Sequence, residues 1–424
     1  MLQLSFVNFK RGSYILIEGK SDTDRFYIIQ SGQVQIGKQN EVVAEEEGNL
    51  LGPGDFLGVV ACMAHHSQIE TAVAVSDVVL IAVHYTQFPE LIEKNNPIAM
   101  KIIYSFSKKM RYLDEALTRI TLKRNIETDI SHLFTIGEYY LKMSKFELAL
   151  YAYYHYLKEK PDGQFAETAR KRFMAIKSTG VKAPIEMLEP DTKQMVRVYN
   201  RESMIFCECQ SGTELYIIQK GRVKISKIVD NSEVLLAVLR EGDMFGEMAL
   251  LENKPRSATA ITAAEECQLL AVNRQNFNQM VTTQPQLIAR LTTTLADRIW
   301  AMYKQLANTL IPVPLEKMYD MLCIQLEKLR IQPGAGKQHT FLFGPPELAK
   351  MCSIPKEQVA QAIAEFLMTP IVRSTDDSII ITDTLELSKQ TAYFKKMQEI
   401  EQARKQSRAN EPTYRGKPMG ISKT

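Results

Sequence analysis

Two distant stretches of this chain share one alternation of apolar and polar positions. Phe26-Tyr27-Ile28-Ile29-Gln30-Ser31-Gly32-Gln33-Val34-Gln35-Ile36 is repeated as Leu215-Tyr216-Ile217-Ile218-Gln219-Lys220-Gly221-Arg222-Val223-Lys224-Ile225. Alternation on both sides of a glycine predicts two strands joined by a turn, and its recurrence predicts an internal duplication. Behind each copy the period lengthens. Ala99, Ile103, Phe106, Met110, Leu113, Leu117 and Ile120 recur at steps of four and three, and Leu291, Leu295, Ile299, Met302 and Leu306 do nearly the same. Such apolar seams predict a long helix after each copy.

Between the copies, Asp129 to Asp162 reads as two antiparallel helices. Gly137, Tyr140, Ala149, Tyr153 and Pro161 stand at spacings at which small residues would let the helices approach and a proline would end the second. A further helix is predicted over Gln164–Lys177, and Ser178-Thr179-Gly180 opens a polar linker through Pro184 and Pro190. The aromatic run from Tyr151 to Tyr156 suggests a contact surface for a partner. A spacer docked on the first copy accounts for the same pattern.

The last third changes character again. A helix over Leu315–Leu329 runs to the break at Gln332-Pro333-Gly334-Ala335-Gly336, and His339–Phe343 reads as a short strand. From Pro346 to Phe366 the pattern is that of two short helices with a core of Leu348, Met351, Ile354, Val359, Ile363 and Phe366, Pro355 sitting in the first turn of the second. Strand-like Pro370–Ser374 and Ser378–Thr382 flank a Thr375-Asp376-Asp377 turn.

Composition narrows the class. The 424 residues are 45% hydrophobic and 24% charged, enough for about three or four separate cores. No apolar run reaches spanning length and Met1–Phe6 carries no leader pattern, so a cytoplasmic, membrane-free protein is expected. Cys62, Cys207, Cys209, Cys267, Cys323 and Cys352 follow neither a disulfide nor a zinc spacing, and His65-His66 lacks spaced partners. No metal site is expected. Nor is an enzyme, since no nucleophile and base, triphosphate loop or metal cluster stands at a recognisable spacing.

The densest chemistry lies in Gly242-Asp243-Met244-Phe245-Gly246-Glu247-Met248-Ala249-Leu250-Leu251-Glu252-Asn253-Lys254-Pro255-Arg256-Ser257-Ala258-Thr259. A helical turn beginning after Gly246 offers free backbone N–H groups to an anion. Arg256 adds a fork of charged donors and Ser257 a hydroxyl. The Glu247 carboxylate only accepts hydrogen bonds, so it suits a sugar hydroxyl and would repel a phosphate. A cyclic mononucleotide carries both groups. The first copy keeps Gly54-Asp55-Phe56-Leu57-Gly58 but has Val59 in place of Glu247, Gln68 in place of Arg256, and Ile69-Glu70 in place of Ser257-Ala258. It is expected not to bind the usual ligand.

Phe-Gly-Glu-x-Ala-Leu followed by Pro-Arg-Ser-Ala-Thr resembles the phosphate-binding cassette of cyclic-nucleotide-binding domains, as found in bacterial regulators of the catabolite-activator type and in kinase regulatory subunits. The resemblance implies that Glu247 takes the ribose 2′-hydroxyl and Arg256 the cyclic phosphate, with Gly246, Met248, Ala249, Leu250, Ser257 and Ala258 around them. Trp300, Met302 and Tyr303 on the following helix are candidate caps for the base. Cyclic AMP is the preferred ligand, with cyclic GMP open. The two long helices are expected to pack on each other as an intramolecular pseudo-dimer, a homodimer through the second helix being the competing arrangement.

The region after the second long helix resembles the winged helix-turn-helix of the same regulators. That resemblance implies double-stranded DNA as partner, read by Lys356, Glu357, Gln358 and Gln361. Lys356 is the one basic residue of its helix, beside Glu357 and Glu365, and the tail from Lys395, Lys396, Arg404, Lys405 and Arg408 to Arg415, Lys417 and Lys423 supplies further positive charge against Glu399, Glu401 and Glu411. The insert resembles a single tetratricopeptide unit, with Tyr156 where a small residue is usual.

The expected architecture is α+β and multidomain, with two β-roll (jelly-roll) nucleotide domains, a tetratricopeptide-like helical insert and a C-terminal winged helix-turn-helix. The boundaries are 1–125 for the degenerate copy with its helix, 126–180 for the insert, 181–195 for a linker, 196–310 for the intact copy, 311–390 for the winged helix and 391–424 for a basic tail. The function expected is a DNA-binding transcription regulator that responds to a cyclic nucleotide bound in the second copy. The alternative is a signalling adaptor that senses the nucleotide and contacts a protein through the insert.

Overall fold

The duplicated strand pattern folds into two β structures of the same topology. The computed structural model describes residues 4–37, 49–122, 129–181, 194–229, 232–375 and 378–409. In the first copy the strands are β1 (Ser5–Phe9), β2 (Tyr14–Leu16), β3 (Arg25–Ser31), β4 (Val34–Gly37), β5 (Leu50–Leu51), β6 (Phe56–Leu57), β7 (Thr71–Ala74) and β8 (Val78–His84). They form two antiparallel sheets, ordered β1-β8-β3-β6 and β2-β7-β4-β5. Side chains from both, among them Ile29, Val34, Leu57, Ala72 and Leu80, share one apolar core, as alternating strands require when one face of each is buried. The short helix α1 (Val59–Ala64) and helix α2 (Phe88–Lys94) lead into α3 (Asn96–Leu122).

The insert follows as α4 (His132–Lys142), α5 (Phe146–Glu159) and α6 (Ala166–Ser178). Gly137 is needed where α4 crosses α5, because a Cβ there would lie 2.6 Å from the Tyr153 ring. Tyr156 is accommodated by another glycine: a Cβ on Gly163 would meet its hydroxyl at 2.4 Å, and that hydroxyl accepts a hydrogen bond from the Phe165 N–H at 3.1 Å. The aromatic run is not a surface. Tyr151, Tyr153 and Tyr156 are buried, in a core that continues into Met204, Cys207, Ile228 and Ile261. The insert therefore docks on the second copy rather than the first.

That second copy comprises β9 (Val196–Asn200), β10 (Met204–Phe206), β11 (Glu214–Lys220), β12 (Val223–Val229), β13 (Ser232–Leu239), β14 (Met244–Phe245), β15 (Thr259–Thr262) and β16 (Glu266–Asn273). Its sheets run β9-β16-β11-β14 and β10-β15-β12-β13, strand for strand the order of the first copy. Helices α7 (Glu247–Glu252), α8 (Arg274–Thr283) and α9 (Pro285–Thr309) repeat the first copy's three.

Each long helix crosses to the other copy. On α3, Ser107 Oγ donates to Glu252 at 2.8 Å and Arg111 pairs with the same carboxylate at 3.0 Å. On α9, Trp300 stacks on His66 with ring centroids 4.1 Å apart, and Asp297 lies 3.1 Å from the His66 ring. Arg111 and Trp300 hold equivalent places, counted from Asn95 and Gln284, which close the helices before them. One turn further on, Asp114 pairs with Lys227 of the second copy at 3.0 Å, and Tyr303 reaches Glu18 of the first at 3.5 Å. Each long helix thus contacts the other copy at equivalent positions.

The chain divides after Ala307. In the second unit, α10 (Pro314–Lys328), β17 (His339–Phe341), α11 (Pro345–Met351), α12 (Lys356–Leu367), β18 (Val372–Thr375), β19 (Ser378–Ile381) and α13 (Thr384–Ala409) follow in order. The strands form one sheet, β17-β19-β18. Leu348, Ile354 and Phe366 are buried in its core, with Met351, Val359 and Ile363 partly so. Helix α13 replaces the start of the expected tail. Asp383 accepts from the Glu386 N–H at 2.9 Å as its cap, Leu387 and Phe394 join the core, and Lys395 pairs with Asp320 at 2.7 Å instead of standing free for phosphates. The Asp376-Asp377 part of the turn, Pro184 and Pro190 of the linker and the tail with Glu411, Arg415, Lys417 and Lys423 lie outside the described residues.

Candidate functional site

The densest chemistry of the sequence is assembled where β14 ends. Gly246 turns the chain with φ 78°, the left-handed region that favours glycine, and α7 starts at the next residue without a side-chain cap. Asn253, with φ 55°, closes α7. The chain then returns so that Arg256 bonds the backbone of the turn after β10: Cys209 N–H donates to Arg256 O, and Arg256 N–H to Gln210 O, each at 2.9 Å.

This return buries Arg256, which is only 5% exposed. Its Nη1 donates to Gly246 O at 2.8 Å, and the guanidinium lies 4.1 Å over the Phe206 ring and 5.9 Å from that of Tyr216. Such stacking supports a desolvated cation. Its Nε has no hydrogen-bond partner. Two glycines make the space: a Cβ on Gly212 would lie 2.3 Å from Nε, and one on Gly246 would lie 2.6 Å from Nη1. Burial pushes the Arg256 pKa below the usual guanidinium value, with the nearby Tyr216, Tyr151, Glu214 and Glu247 opposing it.

Glu247, 1% exposed, has no hydrogen-bond partner on either carboxylate oxygen. Arg298 of α9 lies 3.6 Å from Oε1 and donates to Met244 O at 2.9 Å. A buried carboxylate without hydrogen bonds is costly unless something completes it. Together with the free Nε edge of Arg256, it fits a ligand carrying both an anionic ester and a hydroxyl. Below this layer Arg197 forks onto Glu214 at 2.7 and 2.8 Å, and the Tyr216 hydroxyl donates to Glu214 at 3.2 Å.

Ala249, Leu250 and Ala258 are buried beside these groups, while Met248 and Ser257 are half-buried. Trp300 and Tyr303, expected over the base, instead meet the first copy, as described above; Met302 is half-buried. The helix that meets α7 from the other copy is α3, through Ser107 and Arg111. In the second unit Lys356, Glu357, Gln358 and Gln361 are exposed along one helix, and Gln361 Nε2 donates to Glu365 at 2.9 Å. Phe206, Gly212, Tyr216 and Arg298 were not picked out in the sequence. Only the aligned copies held a signal for two of them, since Leu16 and Asp22 stand where the second copy has Phe206 and Gly212.

In the first copy, Gly58 turns with φ 70° and α1 follows, as in the second. Gln68 makes the same backbone bonds, to Gly19 and Lys20, at 2.8 Å each. Its side chain is 2% exposed and neither amide atom has a hydrogen-bond partner. A Cβ on Gly58 would lie 3.1 Å from Leu16, the apolar residue in place of Phe206. Glu70 pairs with Lys109 of α3 at 3.4 Å.

Residues 6–95 and 196–284 each match the family model for the cyclic nucleotide-binding domain. The chain thus contains two stretches that match the cyclic nucleotide-binding domain, one in each copy. Over 200 residues, 47% of this chain and 89% of the relative, it is 27% identical to a CRP-like cAMP-activated global transcriptional regulator of Mycobacterium tuberculosis. It is 28% identical to the cyclic AMP receptor protein of Thermus thermophilus over 178 residues, 42% of this chain and 79% of that one. A third similarity, 33% over 134 residues, covers 29% of this chain but 13% of the Rap guanine nucleotide exchange factor 3 of Homo sapiens. Similarity to the two regulators extends over about twice the length of either matched domain. Among the described residues no helix is long and apolar enough to cross a membrane.

Proposed function

We propose that the chain is a cyclic-nucleotide-responsive regulator that binds one ligand, in its second copy, and acts on double-stranded DNA through its second unit. The observation that carries this reading is the buried pair of Arg256 and Glu247, each with hydrogen-bonding capacity that no protein group uses. Arg256 and Ser257 hold the cyclic phosphate, and Glu247 the ribose hydroxyl. Cyclic AMP is the preferred ligand, in keeping with the printed names of the two bacterial relatives; cyclic GMP is the alternative to be tested beside it. The first copy takes the place of a second subunit, making an intramolecular pseudo-dimer.

The helix pair α11–α12 with the three-stranded sheet is read as a winged helix, Lys356, Glu357, Gln358 and Gln361 facing the bases. The switch draws its energy from tighter ligand binding to one arrangement of the chain than to another. Duplexes selected from a random library with the full chain and cyclic AMP test this. Binding is expected to strengthen with cyclic AMP, to weaken with salt and to weaken on Lys356→Ala. Failure to enrich any duplex overturns the DNA reading.

A second reading, a signalling adaptor, is favoured by the acidity of α12, where Glu357 and Glu365 follow the one basic side chain, Lys356. The insert would carry its protein contact through half-buried and exposed residues, because the buried tyrosines are committed to the core. A protein retained by the chain only in the presence of cyclic AMP would support it.

A further inference from the structure

The insert touches the second copy at the turn that cradles Arg256. Glu159, the last residue of α5, accepts two hydrogen bonds from Ser211, from the N–H at 2.9 Å and from Oγ at 3.0 Å. The Tyr151 hydroxyl lies 3.1 Å from Ile205 O and 3.2 Å from Gln210 Oε1. Gln210 in turn accepts from the Cys207 N–H through that same Oε1, at 2.9 Å, and from the Arg256 N–H through its carbonyl. Next but one in the chain is Gly212, packed so closely on the guanidinium that a Cβ there would overlap it.

We propose that α5 is a positioning element of the nucleotide site: Tyr151 and Glu159 clamp the 207–212 turn from outside, and the turn fixes the guanidinium of Arg256 from inside. This rests on the reading of Arg256 as the phosphate receptor. The equivalent turn of the first copy shows the contrast. Lys20, Ser21 and Asp22 are exposed, and no guanidinium lies beneath them. A turn so held in advance spares the ligand the ordering it would otherwise impose on binding. It also makes the insert a lever on affinity, since whatever shifts α5 shifts the turn.

Two measurements on the full chain test the assignment. Hydrogen exchange without nucleotide should be about tenfold faster in the 207–212 amides of Glu159→Gln, with the β11 and β16 amides unchanged. Unchanged exchange in the turn overturns the clamp whether or not nucleotide binds. In calorimetry, Tyr151→Phe and Glu159→Gln should each bind cyclic AMP about fivefold more weakly, and in an Arg256→Lys background the same changes should cost less than about twofold. Losses that persist at full size beside Arg256→Lys show an effect by another route and overturn the proposal. No binding by the unaltered chain overturns the proposed function, and the positioning role falls with it. Binding undiminished in the variants overturns the positioning role alone.

Discussion

The two copies keep the same strand order, the same left-handed glycine before a short helix and the same pair of backbone bonds at the returning strand, yet they bury opposite things. At one position the second copy holds a guanidinium over Phe206, flanked by Gly212, with Glu247 opening the short helix nearby. The first holds a neutral amide beside Leu16, with Asp22 and Val59 at the other two places. The comparison separates what the fold requires from what the ligand requires. Backbone pairing and the αL glycine are kept in both copies, whereas the side chains that suit an anion and a hydroxyl are present in one. The first copy also receives α9, through His66.

Removing that contact should have the largest effect. Trp300→Ala takes a fully buried indole off His66 and should cost about 3 to 5 kcal/mol of stability, read as a lower midpoint of denaturant unfolding, while the relative affinity for cyclic AMP and cyclic GMP stays as it was. An unchanged midpoint with an altered base preference would return Trp300 to the nucleotide. Arg256→Ala should weaken cyclic AMP binding by about 2 to 5 kcal/mol, thirtyfold or more; unchanged affinity would sink the site assignment. Phe206→Leu gives the second copy the first copy's residue beneath the cation and should cost about 0.5 to 2 kcal/mol of the same affinity. Gln68→Leu should be smallest. Its amide satisfies no partner, so replacing it with an apolar group of similar size should leave stability equal or slightly higher and cyclic AMP affinity untouched. A clear loss of stability would mean that the amide has a partner in solution.

Much of this was legible in the sequence because it is local. Strand alternation, the helical seams and the run from Gly246 to Arg256 each lie within a few turns of chain, so periodicity and motif both reach them. Phe206, Gly212 and Arg298 come to the site from separate elements, and nothing near them in sequence marks them. The insert shows a different limit. Tyr151, Tyr153 and Tyr156 announce a large apolar face, but a periodic pattern does not say which neighbour covers it. It proved to be the core of the insert and the second copy. Helix α13 was hidden by its charge, its core contacts being spread among Leu387, Thr391 and Phe394. Trp300 shows the same limit, because its place on the helix, one turn before Tyr303, fits a cap and a dock equally well.

The central claim is one working site in a duplicated pair, and stoichiometry tests it most directly. Calorimetric titration of the full chain with cyclic AMP should give one molar equivalent, its affinity about thirtyfold weaker or more in Arg256→Ala and unchanged in Gln68→Leu. Two equivalents, or one whose affinity is unchanged in Arg256→Ala, would contradict the account.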